Sequence, residues 1–209
     1  MAAIDPKLKI ETLRIEKELF AASEKFEKDG DFRWFFSYAH AKITEQINKN
    51  LNLFRDPNAV IRLNAHFASE YLKAASGQPH EAWSKAFKIC KALEKNAPNN
   101  PALVGEVELC GAQMANVHIH VDLANALREV GCIDRNDYGN ILTFVLRGNL
   151  AAENKLRGKF GGATMFLLSA LVGPKLNMDV KKWRNAAYTE VCGGTVPDPE
   201  KSFQSQIQY

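Results

Sequence analysis

The stretch Met114-Ala-Asn-Val-His118-Ile-His120-Val-Asp122-Leu-Ala-Asn-Ala-Leu127 constrains this chain more than any other. At 100° per residue, Leu103, Val107, Cys110, Met114, Val117 and Val121 share one stripe, while Leu109, Ile119, Leu123 and Leu127 cover the other side. Between residues 109 and 127 the one formal charge is Asp122. A helix apolar on nearly every side is stable in water only when other helices surround it. The spacing therefore predicts a central rod over 101–130, opened by Pro101 and closed by Gly131, inside an all-α bundle. The rod is too polar for lipid, because Gln113, Asn116, His118, His120, Asp122 and Asn125 would be left unsatisfied there.

The remaining periodicity is helical throughout, with no sustained alternation that would mark a strand. Helices are expected over 6–28, 31–50, 56–75 and 78–95, with Asp56 as N-cap and Pro57 in the first turn of the third. Three more follow the rod, over 134–159, 163–172 and 179–192, with Gly161-Gly162 as a stop between the first two. The result is a single-domain multi-helix bundle of about eight helices, residues 1–192, around a buried central helix, with a polar tail over 193–209. The 209 residues suffice to bury a core without staples.

Histidine and aspartate are costly to bury, so their placement on the rod needs a reason. His118 and Asp122 stand one helical turn apart on the same face. A carboxylate there accepts a hydrogen bond from the imidazole, fixes its tautomer and raises its basicity. Gly111 and Ala115 on that flank leave room for a neighbouring helix or a ligand. Two accounts stay open: an internally satisfied pair that pins helix packing, and an acid–base dyad lining a pocket. His120 points roughly away.

Other side chains extend the candidate site. Trp34, Tyr38 and His40, from the aromatic block that opens the second helix, and Tyr71 on the third are candidates for a pocket wall, as is Asn116 on the rod. The plainer account is that such aromatics fill a core. His66 and Glu70 form a second pair at four-residue spacing, read as an exposed helix-stabilising pair or, with His118 and Asp122, as a metal site. His80 is read as a surface residue at a helix start. No nucleophile elbow, phosphate loop or dinucleotide motif is present, and no cofactor is implied.

Composition narrows the field. A net charge of +3 without a basic helix face argues against nucleic acid. The longest apolar run, Met165-Phe-Leu-Leu-Ser-Ala-Leu-Val172, is too short to span a membrane. Cys90, Cys110, Cys132 and Cys192 are scattered with no paired motif, and Cys90 and Cys110 fall on apolar stripes, so buried reduced thiols are expected. With no signal-peptide pattern at the start, a cytoplasmic setting is expected.

Asn116-Val-His118-Ile-His-Val-Asp122-Leu123 resembles the "N-A-H-I-N-x-D-L" signature of an uncharacterised helical family, DUF5995. Asp56-Pro57 ahead of Phe67-Ala68 and Tyr71-Leu-Lys-Ala74 is similar to that family's "F-A-x-x-Y-F-x-A". Trp83 with Phe87 follows, and Trp183-Arg184-Asn-Ala-Ala-Tyr188 resembles its "A-R-x-x-A-W" end. His120 departs from the pattern, which has Asn there. The resemblance implies an all-helical fold and no particular reaction.

These readings lead to one preferred expectation. A hydrophobic small-molecule substrate sits in an interhelical pocket, where His118 moves a proton and Asp122 orients it, for a cyclisation, an isomerisation or a related rearrangement without a cofactor. The alternatives are a non-catalytic binding or interaction protein with a structural His–Asp pair, and a metal-dependent hydrolase using His66, Glu70, His118 and Asp122.

Overall fold

The computed structural model describes the backbone of residues 3–96, 103–160, 163–199, 204 and 206–207, and their side chains except those of 96, 103, 160 and 163–177. Among the described residues it is helical with no strand. α1 (Pro6–Lys28) and α3 (Pro57–Ala75) begin where local chemistry places them. Asp5 and Asp56 accept from the backbone N–H of Lys7 and Ala59, at 2.8 and 3.0 Å, and a proline follows each cap. α2 spans Arg33–Lys49 and α4 spans Glu81–Asn96. The expected openings at Pro101 and stop at Gly161-Gly162 lie outside the described residues.

The central rod is continuous but not uniform. α5 (Leu103–Val117) passes into a π-helical turn, His118–Leu123, and then into α6 (Ala124–Val130). A π turn holds one residue more than an α turn, is rare, and is frequently found at functional sites. The rod stops at Gly131, whose φ of 88° suits a residue without a Cβ.

α7 (Arg135–Phe160) follows, and α8 (Ala163–Cys192) joins what the sequence splits into two helices. α8 runs through Gly173-Pro174, where local propensity predicts a break. It packs against α5, the π turn, α6 and α7, and that tertiary support overrides the local preference. Beyond it the chain folds back: the Pro197 carbonyl lies 2.5 Å from where a Cβ on Gly139 would stand, so α7 needs a glycine there.

Apolar side chains gather in two clusters. One holds Ile15, Leu19, Trp34, Phe35, Trp83 and Met114. The other holds Ile47, Phe54, Ile61, Leu123, Tyr138 and Phe144. The boundary falls at His40 on α2 and His118 on the rod. The rod's envelope is incomplete, because Leu109 is 46% exposed. No helix among the described residues is long and apolar enough to cross a membrane.

The cysteines correct the sequence reading. Cys90 and Cys110 are joined, with Cα atoms 5.0 Å apart, and so are Cys132 and Cys192, at 5.8 Å. The first bond ties α4 to α5, and the second ties the segment after α6 to the end of α8. Partners 20 and 60 residues apart leave no spacing signature, which is why scattered thiols look free in sequence. Such bonds persist in oxidising surroundings, so the expectation of reduced thiols does not hold.

Candidate functional site

The π turn places His118 and Asp122 on one side of the rod, facing α2, α3 and α4. Both are buried, at 3% and 1% exposure. His118 Nδ1 lies 2.7 Å from Asp122 Oδ2. The same oxygen accepts from Trp83 Nε1 at 3.0 Å, and Oδ1 is 3.2 Å from His80 Nε2. Burial alone pushes the Asp122 carboxyl up. The hydrogen bond from His118, with help from His80 and Trp83, outweighs it and holds the carboxyl below its ordinary value. An ionised Asp122 fixes the His118 proton on Nδ1 and leaves a lone pair on Nε2. Burial also lowers the His118 imidazole, only partly opposed by Asp122, so the ring is neutral.

The ring is enclosed on its faces. Phe67 stacks on it with centroids 3.5 Å apart and planes 12° apart, and Phe36 meets it edge-on at 5.4 Å. Its Nε2 is nevertheless buried with no hydrogen-bond partner. His40, with its ring centroid 4.8 Å away, has both nitrogens in that condition. Burial, then the neighbouring His118, keeps His40 well below its ordinary pKa. Unpaired buried polar atoms are scarce in folded proteins, and three on two touching imidazoles mark the place.

They border a cavity of about 80 Å³ between α2, α3, the rod, α7 and α8. Its polar lining is His40, Asn64, His118, Asn149, Glu153 and Arg184, and the rest is apolar. Gly111 and Ala115 line it as the sequence suggests. A Cβ on Gly111 would lie 2.6 Å from Phe35 Cδ1, so the small residue also admits α2. Arg184, 5% exposed, rests over the Tyr138 ring at 4.7 Å and leaves Nη2 unpaired. Glu153 is 7% exposed and lies 3.5 Å from Arg157 Nη2. Phe67 lines the cavity and is only half-buried, so it stands between His118 and solvent.

Of the side chains proposed from sequence, the structure gathers His118, Asp122 and His40. Trp34 is buried in the first core cluster instead, and Tyr38 packs on Phe20 under Lys155. Tyr71 approaches His118 with its ring, at 6.1 Å, but its hydroxyl is bound to Ser37. Asn116 is half-buried outside the cavity. His66 and Glu70 do not pair: His66 faces Glu129 at 3.8 Å, and Glu70 faces Lys73. The four-residue metal set is therefore not assembled, and no group of three or more metal-ligating side chains occurs among the described residues.

Sequence reasoning missed four participants. His80 is exposed at the start of α4, as the sequence suggests, and its ring also reaches the Asp122 carboxylate, to which Trp83 donates from its indole. Glu153 and Arg184 enter from α7 and α8. Trp83 and Arg184 carried a signal, as parts of the motifs that resemble the family's, and the other two carried none. No curated protein and no solved structure matches the chain. A family model does, described as a family of unknown function, DUF5995, over residues 14–195. With that span covering most of the bundle, the π turn and the whole cavity, the chain belongs to the DUF5995 family.

Proposed function

We propose that this protein is a small-molecule enzyme that acts on a largely apolar substrate in the cavity beside His118. His118 Nε2 takes a proton from the substrate and returns it elsewhere, while Asp122 holds the tautomer and balances the imidazolium. An isomerisation, a cyclisation or a related rearrangement suits an enclosed cavity with a mainly apolar lining, because no water or cofactor enters its stoichiometry. The observation that carries this reading is the unpaired Nε2 in a cavity wall, on an imidazole whose other nitrogen is already committed. A cavity of about 80 Å³ is about half of the 150 Å³ that holds benzene, so the ligand is slender or displaces Phe67 on entry.

The test is turnover of an apolar alcohol and ketone panel, followed by mass spectrometry and by proton exchange into the substrate in D2O. Wild type is expected to exchange or convert at least one member, and His118→Gln to lose that by about 10²-fold or more, with melting unchanged within a few degrees. Equal turnover in His118→Gln ends the proposal. Binding without turnover in either protein favours the second reading, a non-catalytic binding protein. The Phe67 ring stacked at 3.5 Å on His118 supports that reading, because it restricts approach to the imidazole.

A further inference from the structure

The cavity is elongated. Its wall runs from residue 35 to 47 on α2, from 111 to 123 on the rod and from 141 to 153 on α7. Twelve residues of helix rise by about 18 Å. Charge is distributed unevenly along that length. Phe35, Gly111 and Glu153 mark one end, the histidines stand near the middle, and Ile141 and Arg184 mark the other.

At the Glu153 end a second buried carboxyl stands one turn before Gly111. Glu108 is 2% exposed, and neither of its oxygens has a hydrogen-bond partner. The charged groups acting on it are Glu153 and Arg157, both on α7, and Arg157 is the one acting on Glu153. Among the described residues, two carboxylates thus share one guanidinium, one positive charge short of balance. A buried carboxylate without a partner is neutralised by a proton or by a cation. Phe35 lines the cavity at this end, beside Gly111, and Phe36, packed on His118, lies nearer the middle.

We propose that the missing charge is supplied by the ligand: the cavity takes a slender alkyl ammonium, its cationic head at Glu153 with Glu108 behind it and its apolar chain lying towards His118. This rests on the cavity being a ligand site, as argued above, and adds the substrate's chemical class. In the empty protein a proton does the same work. Burial, then the charge of Glu153, raises the Glu108 carboxyl to about 7. Binding of the ammonium therefore breaks the Glu108 O–H bond, the released proton passes to the buffer, and no covalent bond forms to the ligand.

Calorimetric titration of the full chain with n-hexylammonium, n-hexanol and n-hexanoate at pH 6.5, where Glu108 is mostly protonated, tests this. The expected result is hexylammonium binding at least tenfold more tightly than hexanol, with hexanoate weakest. Heats in phosphate and Bis-Tris should differ in proportion to proton release. Glu153→Gln and, separately, Glu108→Gln should each abolish the ammonium preference and the proton release, while retaining hexanol binding. If either variant fails to fold, the other still decides. Hexanol binding with no ammonium preference, or a preference that survives both variants, overturns this proposal and leaves the pocket intact. Hexanoate binding most tightly overturns it in favour of an anion at Arg184. Binding of none of the three overturns it together with the pocket reading.

Discussion

The Glu108 carboxyl offers a prediction that needs no ligand. Its folded-state value of about 7 stands against an ordinary 4.5, raised by burial and by Glu153. A carboxyl raised on folding holds its proton in the folded chain when the unfolded chain has released it. Its stabilising contribution is therefore present below pH 4.5 and disappears as pH rises through 7. The full difference amounts to about 3 kcal/mol, of which about 2.5 kcal/mol falls between pH 5 and 8. Glu108→Gln keeps the shape and removes the titration. A buried amide has its own cost, but that cost is the same at both pH values. The variant is thus expected to gain about 2.5 kcal/mol relative to wild type on going from pH 5 to 8, a relative shift in Tm of about 5–10 °C for a chain of this size. Thermal or denaturant unfolding of both proteins at the two pH values measures it. A Tm difference that stays constant across that range refutes the reasoning: Glu108 would then titrate normally, and the charge count at that end of the cavity would be wrong.

Three further outcomes follow from the same geometry. His40 is held well below its ordinary 6.5, so the unfolded chain takes up a proton that the folded chain refuses, and stability falls as pH drops below 6.5. Wild type should lose about 1.4 kcal/mol relative to His40→Leu between pH 7.5 and 5.5, read from denaturant midpoints, and parallel curves would contradict this. Asp122→Asn removes an acceptor shared by His118, Trp83 and His80 and should cost about 2–4 kcal/mol. A loss under 1 kcal/mol would show that those hydrogen bonds do not hold the rod. Reduction should cost about 3 kcal/mol for Cys90–Cys110 and about 4 kcal/mol for Cys132–Cys192, from the closed chain lengths. Non-reducing peptide mapping should recover those two pairs, and free thiols or other pairings would refute the disulfide assignment.

The sequence by itself determined the helices whose ends are set within a few residues. The caps at Asp5 and Asp56, the prolines after them and the glycine at 131 place α1, α3 and the end of the rod where the structure has them. It also determined that a nearly uncharged rod must lie inside, and that His118 and Asp122 meet on one face. These are local facts: a cap, a breaker and a four-residue spacing each act through hydrogen bonds between near neighbours. Tertiary structure alone decided the rest. Whether the backbone tightens or widens at His118, whether α8 survives Pro174, which cysteines meet, and that His80, Trp83, Glu153 and Arg184 reach the site all depend on helices brought together from distant parts of the chain. Periodicity tells which face of a helix is buried. What it is buried against, and whether a polar atom there finds a partner or a cavity, is settled only when the helices pack.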